Sequence, residues 1–180
     1  SDALLAGLAR DGGLYVPQAW PRLSAGDIAG FAGLPYADVA QRVLGLLSQG
    51  DIGTSELKTI TDEAYGAFAH AATCPLTQIG PNLFMLELFH GPTLAFKDVA
   101  MRFLAGAMDR ELKRRGQRAT IVGATSGDTG SAAIDAFKGS EQVDVFILFP
   151  HGRVSEVQRR QMTTVDAPNV HAIAIDGTFD

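Results

Sequence analysis

The sequence is short of several things, and each shortage excludes something. One cysteine, Cys74, stands in 180 residues. No disulfide can therefore form within the chain, which fits a reducing compartment and leads us to expect a cytoplasmic protein. A lone cysteine of this kind reads as a small core residue and is given no role. No apolar run is long enough to cross a bilayer, and none is flanked like a secretion signal. Lys and Arg number 15 against 20 Asp and Glu, a net charge of −5 without long like-charge runs. A nucleic-acid binder would need a basic face, so no such partner is expected. His151 and His171 lack partners at metal-ligand spacing, and no metal is expected. Repeats and low-complexity stretches are missing as well. What is present is a chain 46% hydrophobic, enough for one domain or for one domain plus part of another.

The pattern changes near residue 75, and we place a division there, into residues 1–75 and 76–180. The first part reads as mostly helical. Leu4, Leu5 and Leu8 suggest a short helix stopped by Asp11-Gly12-Gly13, followed by an extended Leu14-Tyr15-Val16-Pro17. Tyr36, Val39, Ala40, Val43, Leu44 and Leu47 recur at helical spacing, with Gly50 placed as a C-terminal cap. Leu57, Ile60, Ala64, Ala67 and Phe68 make a second stripe, with Thr54 or Ser55 as N-cap. Both stripes read as core packing, and neither carries a group that suggests catalysis.

The second part opens with two strands, 76–79 and 83–89, around the Gly80-Pro81-Asn82 turn. Helices are then predicted over 98–115, 129–137 and 154–163, alternating with strands over 119–123, 143–149 and 170–175. Such alternation implies an α/β fold with a parallel sheet flanked by helices. Ligands of such sheets sit beyond the carboxyl ends of the strands.

Two segments fall at that rim. In the first, Leu88 to Asp98, a glycine and a proline break the strand and Lys97 then stands at the head of a helix. Helix N-termini present unpaired N–H groups. A desolvated lysine amine can attack a carbonyl group to form a Schiff base. The position only permits this, and a solvated lysine on a helix face is the plainer reading. In the second, Ala124-Thr125-Ser126-Gly127-Asp128-Thr129-Gly130-Ser131, an apolar strand runs into a helix through small residues. Successive N–H groups and the hydroxyls there can bind a carboxylate or a phosphate. The same residues would also serve as an ordinary tight turn. The spacing is neither a dinucleotide fingerprint nor a P-loop. Arg153 and Ser155, after the 143–149 strand, could reach a phosphate at the same rim.

Together these residues resemble the threonine synthase family. FHGPTLAFKD, 89–98, is similar to its cofactor-lysine motif, and ATSGDTGSA, 124–132, to its substrate loop. DGGLYVP (11–17), FPHGRVSEVQRRQM (149–162) and DGTFD (176–180) are similar to further family segments, so the resemblance covers essentially the whole chain. It implies fold type II of the pyridoxal 5'-phosphate enzymes, the class of tryptophan synthase β, with a mostly helical region ahead of the α/β domain. It implies Lys97 as the Schiff-base lysine and proton shuttle, and Asp128 near the cofactor ring. Thr125, Ser126, Gly127, Asp128 and Thr129 would bind substrate, with Arg153 and Ser155 as candidates for its phosphate. The implied reaction converts O-phospho-L-homoserine and water to L-threonine and phosphate. A related phospho-lyase giving a keto acid, or a non-catalytic interaction module of the same fold, would share these motifs.

One departure stands out. The family holds the cofactor phosphate in a glycine-rich loop, and after residue 140 this chain has only Gly152 and Gly177. The chain is therefore expected to be an N-terminal fragment, truncated within the α/β domain and inactive alone, with apolar surface left uncovered. Monomer and homodimer are not distinguished.

Overall fold

The computed structural model describes residues 2–178. Ser1, Phe179 and Asp180, the last two closing the 176–180 segment, lie outside the described residues. The chain divides into two compact units between Gly66 and Ala67.

The first unit is helical. Helix α1 spans Asp2–Ala6, and a single antiparallel bridge between Leu8 and Leu14 follows it. The turn between them is held by Asp11, whose carboxylate accepts from Gly13 N at 2.9 Å. Helix α2, Ala25–Ala29, was not anticipated from the apolar spacing. It rests on a capping box in which Ser24 and Asp27 satisfy each other's backbone N–H groups. Helices α3, Tyr36–Ser48, and α4, Thr54–Tyr65, carry the two stripes. Leu57, Ile60, Ala64 and Tyr65 of α4 are buried, and the Tyr36 and Tyr65 rings meet edge to face at 4.9 Å. The α3 stripe stays half-buried. The caps differ from expectation by one residue: Gln49 (φ 49°) is the C-cap of α3 and Gly53 the N-cap of α4. Gly50, at φ 87°, takes the next left-handed position, so the glycine extends the stop rather than making it.

The second unit begins with an antiparallel hairpin, β1 (Leu76–Gly80) and β2 (Leu83–Leu86). The second strand is three residues shorter than the apolar run suggests. Its last partner is Leu76, and the preceding Pro75 has no N–H, so only one further bond forms, from Glu87 N to the Pro75 carbonyl at 3.0 Å. Then come α5 (Asp98–Arg115), β3 (Ala119–Ala124), α6 (Asp128–Phe137), β4 (Val143–Pro150), α7 (Glu156–Thr163) and β5 (Val170–Ile175). Strands β3, β4 and β5 form one parallel sheet in that order. The α/β alternation and the helix-flanked parallel sheet are thus as expected.

Strand β4 lies at the centre and alternates strictly. Val143, Val145, Ile147 and Phe149 are buried on one face, against which α6 packs Ile134 and Phe137. The other face is partly bare, with Val122 of β3 67% exposed and Ile173 of β5 42% exposed. Leu76, Leu83, Phe84, Met85 and Leu86 of the hairpin are also more than half exposed. Isolated exposed apolar residues are ordinary, but contiguous ones mark a surface that binds something. Among the described residues, no helix is long and apolar enough to cross a membrane.

The base of the sheet is pinned by Asn169, which is 6% exposed. Its amide donates to the carbonyls of Phe137 and Val143 at 2.9 and 2.8 Å, and its oxygen accepts from Gly139 N at 2.9 Å. One side chain thereby ties the end of α6, the start of β4 and the entry to β5. Asn169→Ala removes three side-chain bonds, two of them buried, and is expected to destabilise this unit by about 2 kcal/mol. Urea unfolding followed by circular dichroism measures it, and an unchanged midpoint would contradict this role.

Candidate functional site

Lys97 ends a closed loop. Gly91 through Asp98 is drawn shut by a buried carboxylate: Asp98, 1% exposed, accepts from Thr93 N at 2.8 Å and from Thr93 Oγ1 at 2.6 Å. A buried carboxylate is tolerable only with such partners, and the head of α5 adds a favourable dipole. Gly91 is needed on space alone, because a Cβ there would lie 2.5 Å from Asp98 Cβ. The turn forces Leu94 into the left-handed region at φ 64°, which costs a residue with a Cβ about 1–2 kcal/mol. Lys97 is the N-cap of α5 and makes no side-chain cap bond. Its Nζ lies 4.3 Å from the Phe96 ring centroid. The amine borders an apolar depression of about 320 Å³ lined by Leu88, Phe96, Val99, Ala100 and Met101. Lys97 is half-buried as a residue, with its amine over the exposed Phe96 ring.

The second segment turns from β3 into α6. Thr125 is 2% exposed, and its hydroxyl oxygen accepts from Gly127 N and Gly130 N, both at 3.0 Å. Its own N–H donates to the Leu148 carbonyl. Thr125 therefore shapes the loop from inside and faces no opening. Ser131 is buried too, with both its N–H and its hydroxyl donating to the Gly127 carbonyl. Ser126, Asp128 and Thr129 are exposed. Among the described residues their backbone N–H groups have no partner, which is the state of an anion-binding helix start. Gly127, at φ 145°, would be strained by any side chain, and a Cβ there would also lie 2.5 Å from Gln158 Nε2 and push that amide away.

Helix α7 joins the two segments, a feature the sequence reading missed. Gln158 donates to Asp128 Oδ1 at 2.6 Å, and Gln161 donates to the Thr93 carbonyl at 3.1 Å. Ser155 is the N-cap of α7, with its hydroxyl donating to Gln158 Oε1 at 2.8 Å and accepting from Gln158 N at 3.3 Å. The S-x-x-Q spacing in the sequence is the signal that could have revealed this. Ser155 is thereby brought next to the loop through Gln158. Arg153 lies exposed on the β4–α7 connection, and no bond of its guanidinium to the loop is present among the described residues. His90, upstream of the lysine, pairs with Glu87 at 2.7 Å. That bond, with one from Thr77, holds the Glu87 carboxyl below its usual range. Arg102 pairs with Asp135 of α6 at 2.7 Å.

Glu156 in the first turn of α7 bonds to Arg159 and Arg160, which pull its pKa down from 4.5 to about 2. A depressed carboxyl contributes stability that is complete above 4.5 and is lost as pH falls through about 2. A carboxyl NMR titration is expected to place the Glu156 midpoint near 2. A midpoint at the ordinary glutamate value would show that these pairs do not form.

The comparisons with known proteins cover the chain from end to end. The family model described as "Threonine synthase N terminus" matches residues 1–65. Threonine synthase of Pseudomonas aeruginosa is 55% identical over 99% of this chain and 38% of its own length. The X-ray structure of PLP-bound threonine synthase from Brucella melitensis superposes with a TM-score of 0.96 at 59% identity, covering 99% of this chain and 38% of that one. The crystal structure of threonine synthase from yeast gives 0.93 at 40% identity, over 99% and 38% of the two chains. The chain thus spans well under half the length of these relatives. On sequence and fold together, the chain belongs to the threonine synthase family and matches the N-terminal part of its members.

Proposed function

We propose that this chain supplies the lysine side of a pyridoxal-phosphate site for threonine synthesis from O-phospho-L-homoserine and water. The single observation that carries the reading is the joint arrangement of Lys97 and the 126–129 helix start, braced by one helix. Relatives up to 55% identical that are named threonine synthase support it.

The residues present fit the aldehyde end of the cofactor. An amine at a helix head, over an aromatic ring and beside an apolar depression, suits a carbonyl partner. When bound, the cofactor supplies the electron sink that the reaction needs. Lys97 Nζ would hold the aldehyde carbon, and once released would take and return protons at the substrate carbons. The N–H groups of Ser126, Asp128 and Thr129, with the Ser126 and Thr129 hydroxyls, would bind the substrate carboxylate. Gly127 lets the backbone approach, and Thr125 keeps the N–H groups aimed outward. Asp128 would stand beside the cofactor ring, oriented by Gln158. Arg153 would reach the substrate phosphate, while Ser155 acts through the α7 cap. A cradle for the cofactor phosphate would come from sequence outside these 180 residues. The 180-residue chain alone is therefore expected to be inactive, and the protein to work in the cytoplasm.

The test is product analysis. The chain alone, given pyridoxal phosphate and O-phospho-L-homoserine, is expected to form no threonine. Joined to the remaining sequence of the Pseudomonas aeruginosa relative, it is expected to release phosphate and form threonine. A keto acid as the product would favour the related phospho-lyase. Absence of phosphate release with a folded protein would favour a non-catalytic module.

A further inference from the structure

Resting on that reading of the site, we propose that Gln158 and Gln161 are positioning residues that set the carboxylate loop and the lysine loop relative to one another. The two glutamines stand three residues apart and so share a face of α7. Each spends its side-chain amide on a different segment: Gln158 Nε2 donates to Asp128 Oδ1 at 2.6 Å, and Gln161 Nε2 donates to the Thr93 carbonyl at 3.1 Å.

The Gln158 bond lies at the surface and the Gln161 bond is part-buried, and each is supported by its surroundings. Gln158 is half-buried and also accepts from Ser155, so its Oε1 is fixed and its Nε2 is left to face the loop. The amide group packs against Gly127, where an added Cβ would lie 2.4 Å from Gln158 Cδ and would displace it. Thr93 is the residue whose N–H and hydroxyl bind Asp98, directly beside Lys97. Gln161 thus reaches the lysine through Thr93 and Asp98. Directly after Gln161 α7 is itself anchored, since Met162 is 1% exposed and its Sδ would lie 3.0 Å from a Cβ at Gly130, in the first turn of α6. A helix pinned in this way transmits position, because a packed core resists continuous deformation. Neither glutamine touches the amine or the exposed N–H groups, so their effect on chemistry is indirect.

The test uses amide hydrogen exchange by NMR on the 180-residue chain, with Gln158→Glu and Gln161→Glu. A glutamate keeps the shape but cannot donate when ionised, and donates again once protonated, at about pH 4. Asp128 and Asp98 near these bonds, and Glu156, Arg159 and Arg160 on α7, titrate or carry charge in every version. Each variant is therefore compared with wild type at the same pH. At neutral pH Gln161→Glu is expected to lower protection at least about tenfold in 93–98 and to leave 127–131 as in wild type. Gln158→Glu is expected to do the reverse. Both are expected to recover as pH falls through the glutamate range, which mere loss of packing would not do. The β3, β4 and β5 amides report whether the fold is intact. If a glutamate variant does not fold, Gln158→Asn and Gln161→Asn, too short to reach, are expected to give the same loop-specific losses without the recovery. Wild-type protection in both loops, or equal losses in both that ignore pH, would overturn the proposal. No cofactor is needed, so a failure here leaves the reading of the site standing, and a failure of cofactor binding leaves the brace standing.

Discussion

A buried carboxylate with two bonds to one threonine is the constraint on which the rest of the site depends. Asp98 must be satisfied where it lies, and Thr93 satisfies it through both its N–H and its hydroxyl. That lock closes the loop, holds Leu94 at a positive φ, and excludes any side chain at position 91. It also sets where α5 begins, and hence where Lys97 projects. The strain at Leu94 is about the size of one good hydrogen bond, so the two bonds to Asp98 are enough to hold it.

The loop between β3 and α6 is held in the opposite way. There the buried group is neutral, and Thr125 serves two N–H donors of its own loop, so that the next ones remain unpaired. Unpaired N–H groups at an exposed helix start suit an anion because the dipole and the donors act together. Helix α7 then ties one loop to the other. The resulting geometry is spread over the β3–α6 turn, the β4–α7 connection and the loop ahead of α5, yet it hangs on few side chains. Such dependence on fixed supports is what a site needs if its reacting groups are to stay in place.

Much of this was legible in the sequence, and the reasons are physical. The α/β alternation could be read because β4 is a β-rich apolar run and the helices begin and end on strong punctuation such as Gly116. Lys97 and the 124–131 segment stood out because small residues and a lysine at helix heads are chemically suggestive, and the family resemblance joined them. The hidden parts were the side-chain pairings. Nothing in the apolar pattern says that Thr93 will meet Asp98 five residues on, or that Gln158 will cross to Asp128, 30 residues away. Helix α2 escaped notice because its five residues are too few to show a period, and its cap is its main support. Ser155 also caps α7, a role that the reading of its hydroxyl as a phosphate contact passed over.

The most direct test of the central claim is where the cofactor attaches. The chain would be mixed with pyridoxal phosphate, reduced with borohydride, digested, and mapped by mass spectrometry, beside Lys97→Ala. A single adduct on Lys97, absent from the variant and accompanied by loss of a near-visible band, is the expected result. An adduct spread over Lys58, Lys113 and Lys138, or one that persists at full yield in Lys97→Ala, would contradict it.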